Sequence, residues 1–201
     1  MRVVIPFDAT NPKSRLAEVL DPAERREFSE TMLRDVVDAV RETGHSPEVL
    51  STAPVDVDVA VTVDDRRLTP LVDAAIDAGT PVAVVMADLA LATSETLHRL
   101  FSANGDVVIA PGRGAGTNAL VVRDPAFRVD YHGASFRDHL ERARAVGATV
   151  REIDSFRLST DVDQPADLLD VLVHGDGDAA QWLRDAGFEI DTASGDPRAV
   201  R

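Results

Sequence analysis

The stretch Pro81-Val82-Ala83-Val84-Val85-Met86-Ala87-Asp88-Leu89-Ala90-Leu91 decides the fold. Its strand candidate, Val82–Met86, is uninterruptedly apolar with no alternation, as expected of a strand covered on both faces rather than one with a wet side. Behind it, Asp88 is the first charged residue, so its carboxylate is expected at the carboxyl end of the strand. On either side the period changes. Leu71–Ala78 reads as a helix stopped by Gly79, and a helix capped by Ser94 runs to about Phe101.

The same alternation repeats on both sides. Upstream, Val3–Phe7 is a short apolar strand, and Asp21-Pro22-Ala23-Glu24 opens a helix with Asp as N-cap and Pro at its first position. Phe28, Met32, Leu33, Val36 and Val40 recur at helical spacing until Gly44, and Val57–Val63 is the next strand candidate. Downstream come strands over Val107–Ala110, Leu120–Val122 and Val150–Ile153, with helices over Phe136–Val146, Ala166–Val173 and Ala179–Ala186. The pattern predicts an α/β protein of one domain, Rossmann-like, with a mainly parallel sheet and helices on both faces. Residues 1–190 form that domain, and the polar stretch 191–201 reads as a frayed tail.

Composition narrows the function. The 201 residues carry 21 Lys plus Arg against 35 Asp plus Glu, a formal net charge of -14, which argues against nucleic-acid or anionic-membrane partners. There is no cysteine, which removes thiolate nucleophiles, disulfides and thiolate metal sites. No apolar run reaches the length of a membrane span, and residues 1–20 lack a signal peptide's apolar core, so a cytoplasmic protein is expected. Of the 35 acids 25 are aspartate, and of the 21 cations only Lys13 is a lysine. That balance suits a surface kept hydrated in concentrated salt and reads as haloarchaeal. An isolated aspartate is then more often surface adaptation than chemistry.

In an open parallel sheet, ligands bind beyond the carboxyl ends of the strands. Four loops qualify. In Asp8–Arg15, the lone Lys13 stands just before Ser14 and Arg15; an ammonium and a guanidinium suit phosphate oxygens, the alternative being a solvated turn. Asp88, Asp161 and Asp163 follow strands, and carboxylates on one edge suit Mg2+, the alternative being helix caps or surface charge. Gly112-Arg113-Gly114-Ala115-Gly116-Thr117 fails both the dinucleotide fingerprint and the Walker pattern. It remains a flexible turn rich in N–H groups, to which Thr117 and Asn118 add side-chain donors. Ser135 is placed to cap the helix that follows, whose N-terminus suits an anion. The five histidines form no ligand pair, His139 reads equally as packing or function, and no hydrolase triad is present.

Six segments together resemble the archaeal 2-phospho-L-lactate guanylyltransferases of deazaflavin coenzyme F(420) biosynthesis. They are Pro12-Lys13-Ser14-Arg15-Leu16-Ala17, Met32-Leu33-Arg34-Asp35-Val36, Val85-Met86-Ala87-Asp88-Leu89-Ala90-Leu91, Gly116-Thr117-Asn118-Ala119-Leu120, Tyr131-His132-Gly133-Ala134-Ser135-Phe136, and Asp161-Val162-Asp163 with Pro165 and Asp167-Leu168. The likeness runs collinearly over about residues 1–175. It implies a nucleotidyltransferase of GT-A type that joins GTP and 2-phospholactate and releases pyrophosphate.

By motif position, the resemblance puts metal carboxylates at Asp88, Asp161 and Asp163, and nucleotide-phosphate contacts at Lys13 and Arg15. It puts the phospho-acid pocket at Thr117, Gly133 and Ser135, with Asn118 beside them. Asp8-Ala9-Thr10 departs from relatives, which often carry a lysine soon after the first strand. Phosphoenolpyruvate or 3-phosphoglycerate as acceptor, and a nucleotide-binding regulator without turnover, remain open at this point. A homodimer is the default expectation.

Overall fold

The structure, a computed structural model, describes residues 1–193 and 195–201. Nine strands and seven helices follow one another along these residues. Strands β1 (Arg2–Phe7), β2 (Pro47–Ser51), β3 (Ala60–Val63), β4 (Val82–Val85), β5 (Val107–Pro111), β6 (Thr117–Val122) and β7 (Val150–Glu152) make one sheet in the order β3-β2-β1-β4-β6-β5-β7. All its pairings are parallel except the two that β6 makes, with β4 and β5. The expected mainly parallel sheet is present. The one reversed strand matters because its beginning, Thr117-Asn118, lies at the edge where its neighbours end.

Helices α1 (Pro22–Glu42) and α3 (Ser94–Ser102) cover one face, and α2 (Leu68–Asp77) and α4 (Ser135–Ala145) the other. Alternation along the strands supplies both cores. Val3, Ile5 and Phe7 of β1 face α1 and α3 while Val4 faces α2, and Ala83 and Val85 of β4 oppose Val82 and Val84 in the same way. Each fully buried Leu, Val or Phe contributes roughly 2 kcal/mol relative to exposure. The start of α1 follows the sequence reading. Asp21 accepts hydrogen bonds from the N–H groups of Ala23 and Glu24 at 2.7 and 2.9 Å, and Glu24 accepts one from Asp21 N–H at 2.9 Å.

A third cluster lies beyond the sheet. Leu16, Leu20, Phe28 and Met32 pack against α6 (Asp167–His174) and α7 (Asp178–Asp185) through Leu168, Val171, Ala179 and Leu183. Asp35 of α1 holds α7 by accepting from Asp178 and Ala179 N–H at 3.0 and 2.9 Å, and Gly177 is needed because a Cβ there would lie 2.7 Å from that carboxylate.

Several expectations are corrected. β2 was not anticipated: only Val49 and Leu50 stand out among Pro47–Ser51, too short a run to register. The Val57–Val63 strand is confined to Ala60–Val63. Helix α3 is capped by Thr93, whose hydroxyl accepts from Thr96 N–H, and Ser94 is its first residue. Ser135 caps nothing; it is the first residue of α4, and Ala134 stands at the cap position. The end of the chain is paired rather than frayed. Strand β8 (Glu189–Asp191) joins β9 (Arg198–Val200) in a hairpin, and Arg201 reaches Glu24 at 2.6 Å.

Candidate active site

The first loop has an apolar foot and a charged head. Leu16, in a single 3-10 turn over Ser14–Leu16, is fully buried in the third cluster together with Leu20. With that foot anchored, Lys13 and Arg15 stand at the sheet's carboxyl edge. Lys13 adopts a left-handed backbone, φ +51°, a conformation uncommon outside glycine and asparagine. Asp8 stitches the start of the loop to the end of β2: its Oδ1 accepts from Thr10 N–H and from the Thr52 hydroxyl, both at 3.0 Å. The departure Asp8-Ala9-Thr10 is therefore a structural clasp here.

Lys13 Nζ donates to Asp88 Oδ2 at 2.7 Å and to Asp163 Oδ1 at 2.8 Å, and Arg15 donates to Asp163 Oδ2 at 3.2 Å. The Lys13 side chain is 12% exposed and Arg15's is 68%. Burial opposes a charge on Lys13, but the Asp88 and Asp163 carboxylates outweigh it and hold the pKa above its ordinary value. Burial likewise opposes ionisation of Asp163, and Lys13 and Arg15 reverse that, holding its carboxyl below the usual range. A backbone bond from Val162 N–H to Asp88 O, 3.2 Å, keeps the Asp161–Asp163 segment beside β4.

These residues border a cavity of about 330 Å³ lined by Lys13, Arg15, Asp88 and Asp163, to which Asn11 and Ser29 contribute. Ser29 was missed from sequence because it reads as one more polar position on α1. Its side chain is seen only once α1 crosses the first loop.

The donor chemistry of Asp88 and Asp163 fits a hard divalent cation. Asp88 Oδ1 supports that fit: it is buried and has no hydrogen-bond partner among the described residues. Asp161 is placed differently. It accepts from Asn118 Nδ2 at 3.0 Å, while the same amide donates to Leu158 O at 3.0 Å. Among the described residues, no three of the His, Cys, Asp and Glu side chains cluster closely enough to hold an ion unaided.

Thr117, Gly133 and Ser135 lie outside the cavity lining, as do Asn118 and Asp161. A β-bulge explains their arrangement. The register of β5 on β6 shifts between Ala110 and Pro111, which pair with Ala119 and Thr117, leaving Asn118 as the extra residue. Asn118 therefore faces α5 (Phe156–Ser159) on the same side as Ala119, and Thr117 turns to the opposite side, toward His139 of α4. Strict alternation would have aimed both the other way.

The glycine loop is less open than expected. Gly112 N–H goes to Gly116 O, Arg113 N–H to Ser159 O and Ala115 N–H to Gly112 O, at 2.9, 3.0 and 3.1 Å. Even the Phe136 N–H at the start of α4 is bound to Ala115 O at 3.1 Å. Arg113 is itself paired with Asp167 and Asp170 at 3.1 and 2.8 Å. Gly112 is required by close approach, because a Cβ would lie 2.5 Å from Asn118 Oδ1.

The chain is similar to several known proteins. The 2-phospho-L-lactate guanylyltransferase of the haloarchaeon Halomicrobium mukohataei is 61% identical over 196 residues, 97% of each chain. A protein of Desulfovibrio desulfuricans described as a nucleotide-diphospho-sugar transferase superposes with TM-score 0.71 at 16% identity, over 92% of this chain and 94% of its own. A Mycobacterium tuberculosis protein solved in complex with manganese gives TM-score 0.52 at 16% identity, over 86% and 97%. These two likenesses concern the fold. The family model described as guanylyl transferase CofC like matches residues 1–200, and the chain belongs to that family of nucleotidyltransferases.

Proposed function

We propose that this nucleotidyltransferase joins the guanylyl group of GTP to 2-phospho-L-lactate, giving lactyl-2-diphospho-5'-guanosine and pyrophosphate. The observation that carries the reading is the Lys13 ammonium between Asp88 and Asp163 at the carboxyl edge, with Asp88 Oδ1 buried and unpartnered. A relative of 61% identity, a 2-phospho-L-lactate guanylyltransferase, supports the choice of substrates.

The acceptor needs no activated nucleophile. Its phosphate, with a second pKa of roughly 6, is largely a dianion at neutral pH. One of its oxygens bonds to the α-phosphorus of GTP, the α–β bridging bond breaks, and pyrophosphate leaves with the electron pair. The protein's task is to align two anions and neutralise their charge. Lys13 has three N–H donors and uses two on carboxylates, so the third is available to a phosphate oxygen. Arg15, largely exposed, adds a fork toward the leaving group. Asp88 and Asp163 would hold Mg2+; Asp161 is held by Asn118 outside the cavity lining. When bound, that ion would neutralise triphosphate oxygens and favour departure of pyrophosphate. Thr117, Gly133 and Ser135 would receive the phospho-acid on the α4 side.

The test is pyrophosphate release in high salt with Mg2+. GTP is paired separately with 2-phospho-L-lactate, phosphoenolpyruvate and 3-phosphoglycerate, with ATP, CTP and UTP as donor controls. Release with GTP and 2-phospho-L-lactate alone is expected. Release with another acceptor reassigns the pocket, and binding of GTP without release from any pair overturns the reading.

A further inference from the structure

His139 is fully buried, yet both of its ring nitrogens are engaged. Nε2 accepts a hydrogen bond from Asp130 N–H at 2.9 Å, and Nδ1 lies 2.8 Å from Thr117 Oγ1. A backbone N–H can only donate, so Nε2 carries no proton, and a neutral ring must carry its proton on Nδ1. The Thr117 hydroxyl then accepts from Nδ1–H, which leaves its own hydrogen for another acceptor. Among the described residues no other hydrogen bond engages it.

The ring has reason to stay neutral. Burial foremost, aided by Arg142, pushes its pKa down to about 4, against the opposite pull of Asp130 and Asp138. Tyr131 and Phe127 stand edge-on to it, with centroids 5.0 and 6.0 Å away. Ser135, also buried, precedes His139 by four residues on α4 and so lies on the same helix face.

We propose that His139 is a positioning residue that makes Thr117 an obligate hydrogen-bond donor toward an oxyanion of the phospho-acid acceptor, beside the Ser135 hydroxyl. The proposal rests on the acceptor reading given above. It follows from geometry that a packing histidine does not need. The β-bulge delivers Thr117 to α4, and the Asp130 amide selects the one neutral tautomer that frees the threonine proton.

Two measurements test it. In the first, protein labelled with 15N-histidine reports the tautomer of His139 in the free state and its response to 2-phospho-L-lactate or inorganic phosphate. Nδ1–H is expected across neutral pH, with a shift on addition of either anion. An Nε2–H tautomer, or no response to either anion, overturns the proposal. This arm does not require turnover, so it stands even if the acceptor reading fails in the pyrophosphate assay.

The second measurement is kinetic. His139→Leu is expected to raise the acceptor KM roughly tenfold, the worth of one hydrogen bond to a charged group, with the GTP KM within about twofold. His139→Gln, whose amide N–H can reach Thr117 while its oxygen accepts from Asp130, is expected to recover most of the loss. It also guards against a folding defect in the leucine variant. Thr117→Val combined with His139→Leu should cost no more than either alone. Unchanged acceptor KM in both folded His139 variants, or additive losses in the double variant, overturns the proposal.

Discussion

Two loops meet at the carboxyl edge of this sheet and use their polarity in opposite ways. The first, Pro12–Leu16, carries two cations whose partners are carboxylates from distant segments, and it borders an open cavity. The second, Gly112–Thr117, has the richer sequence signature, yet its N–H groups at Gly112, Arg113 and Ala115 are already bonded within the protein. A glycine-rich turn offers donors only when the fold leaves them unpaired. Here Gly112 serves close packing: it lets the loop lie against Asn118, which holds Asp161. The charged loop keeps its cations beside the cavity, and the glycine loop aims side chains.

The difference between the two loops is tested most severely at Asp88. Asp88→Asn keeps the shape but removes the charge that faces Lys13 and would hold a cation. Turnover is expected to fall by roughly a thousandfold, with circular dichroism unchanged. Activity within a few-fold of the parent would remove the first loop's carboxylates from the chemistry.

Lys13→Met comes next. A loss in turnover of about a hundredfold is expected, with weaker GTP binding. Because the ammonium now lies between Asp88 and Asp163, the same variant should bind Mn2+ more tightly than the parent in the absence of nucleotide, read by electron paramagnetic resonance. Equal or weaker Mn2+ binding would show that those carboxylates do not form the cation site.

On the glycine-loop side, His139 makes stability depend on acidity. Its folded pKa of about 4 lies below the ordinary 6.5, so the unfolded chain binds the extra proton first. The contribution is complete above pH 6.5 and is lost as pH falls toward 4, amounting to roughly 3 kcal/mol over that window. Urea midpoints measured across it should fall less steeply for His139→Gln than for the parent. Parallel curves would place the sensitivity elsewhere.

The smallest effect separates two glycines of one loop. Gly112→Ala forces a Cβ toward Asn118 Oδ1 and should cost about 1–3 kcal/mol with a matching loss of activity. Gly114→Ala meets nothing within 4 Å and should be close to neutral. Equal effects would mean that the loop acts through flexibility rather than through contact with Asn118.

The alternation of buried strands with amphipathic helices was legible because it depends on local periodicity. β4 and β1 came directly from it, and the Asp21 N-cap from its residue type ahead of Pro22. So did the candidacy of Lys13 and Asp88, since a lone lysine and a carboxylate ending an apolar strand need no partner to be noticed. β2 was not legible, because its five residues carry too little pattern and gain their burial from neighbouring β1 and β3. Nor were the hairpin at the end of the chain and the Asp35 cap on α7, which join residues more than a hundred positions apart or strands too short to stand alone.

The layered α/β fold, the acidic charge balance and the residues from which chemistry could be built follow from the sequence alone. How those residues are used depends on the folded arrangement. The bulge at Asn118 sends Thr117 to His139 and Asn118 to Asp161, and Lys13 meets Asp163 across 150 positions. The physical reason is that periodicity records which face of an element is buried. Hydrogen-bond and charge pairing depend instead on which distant group arrives opposite, and a single extra residue in one strand reverses that outcome.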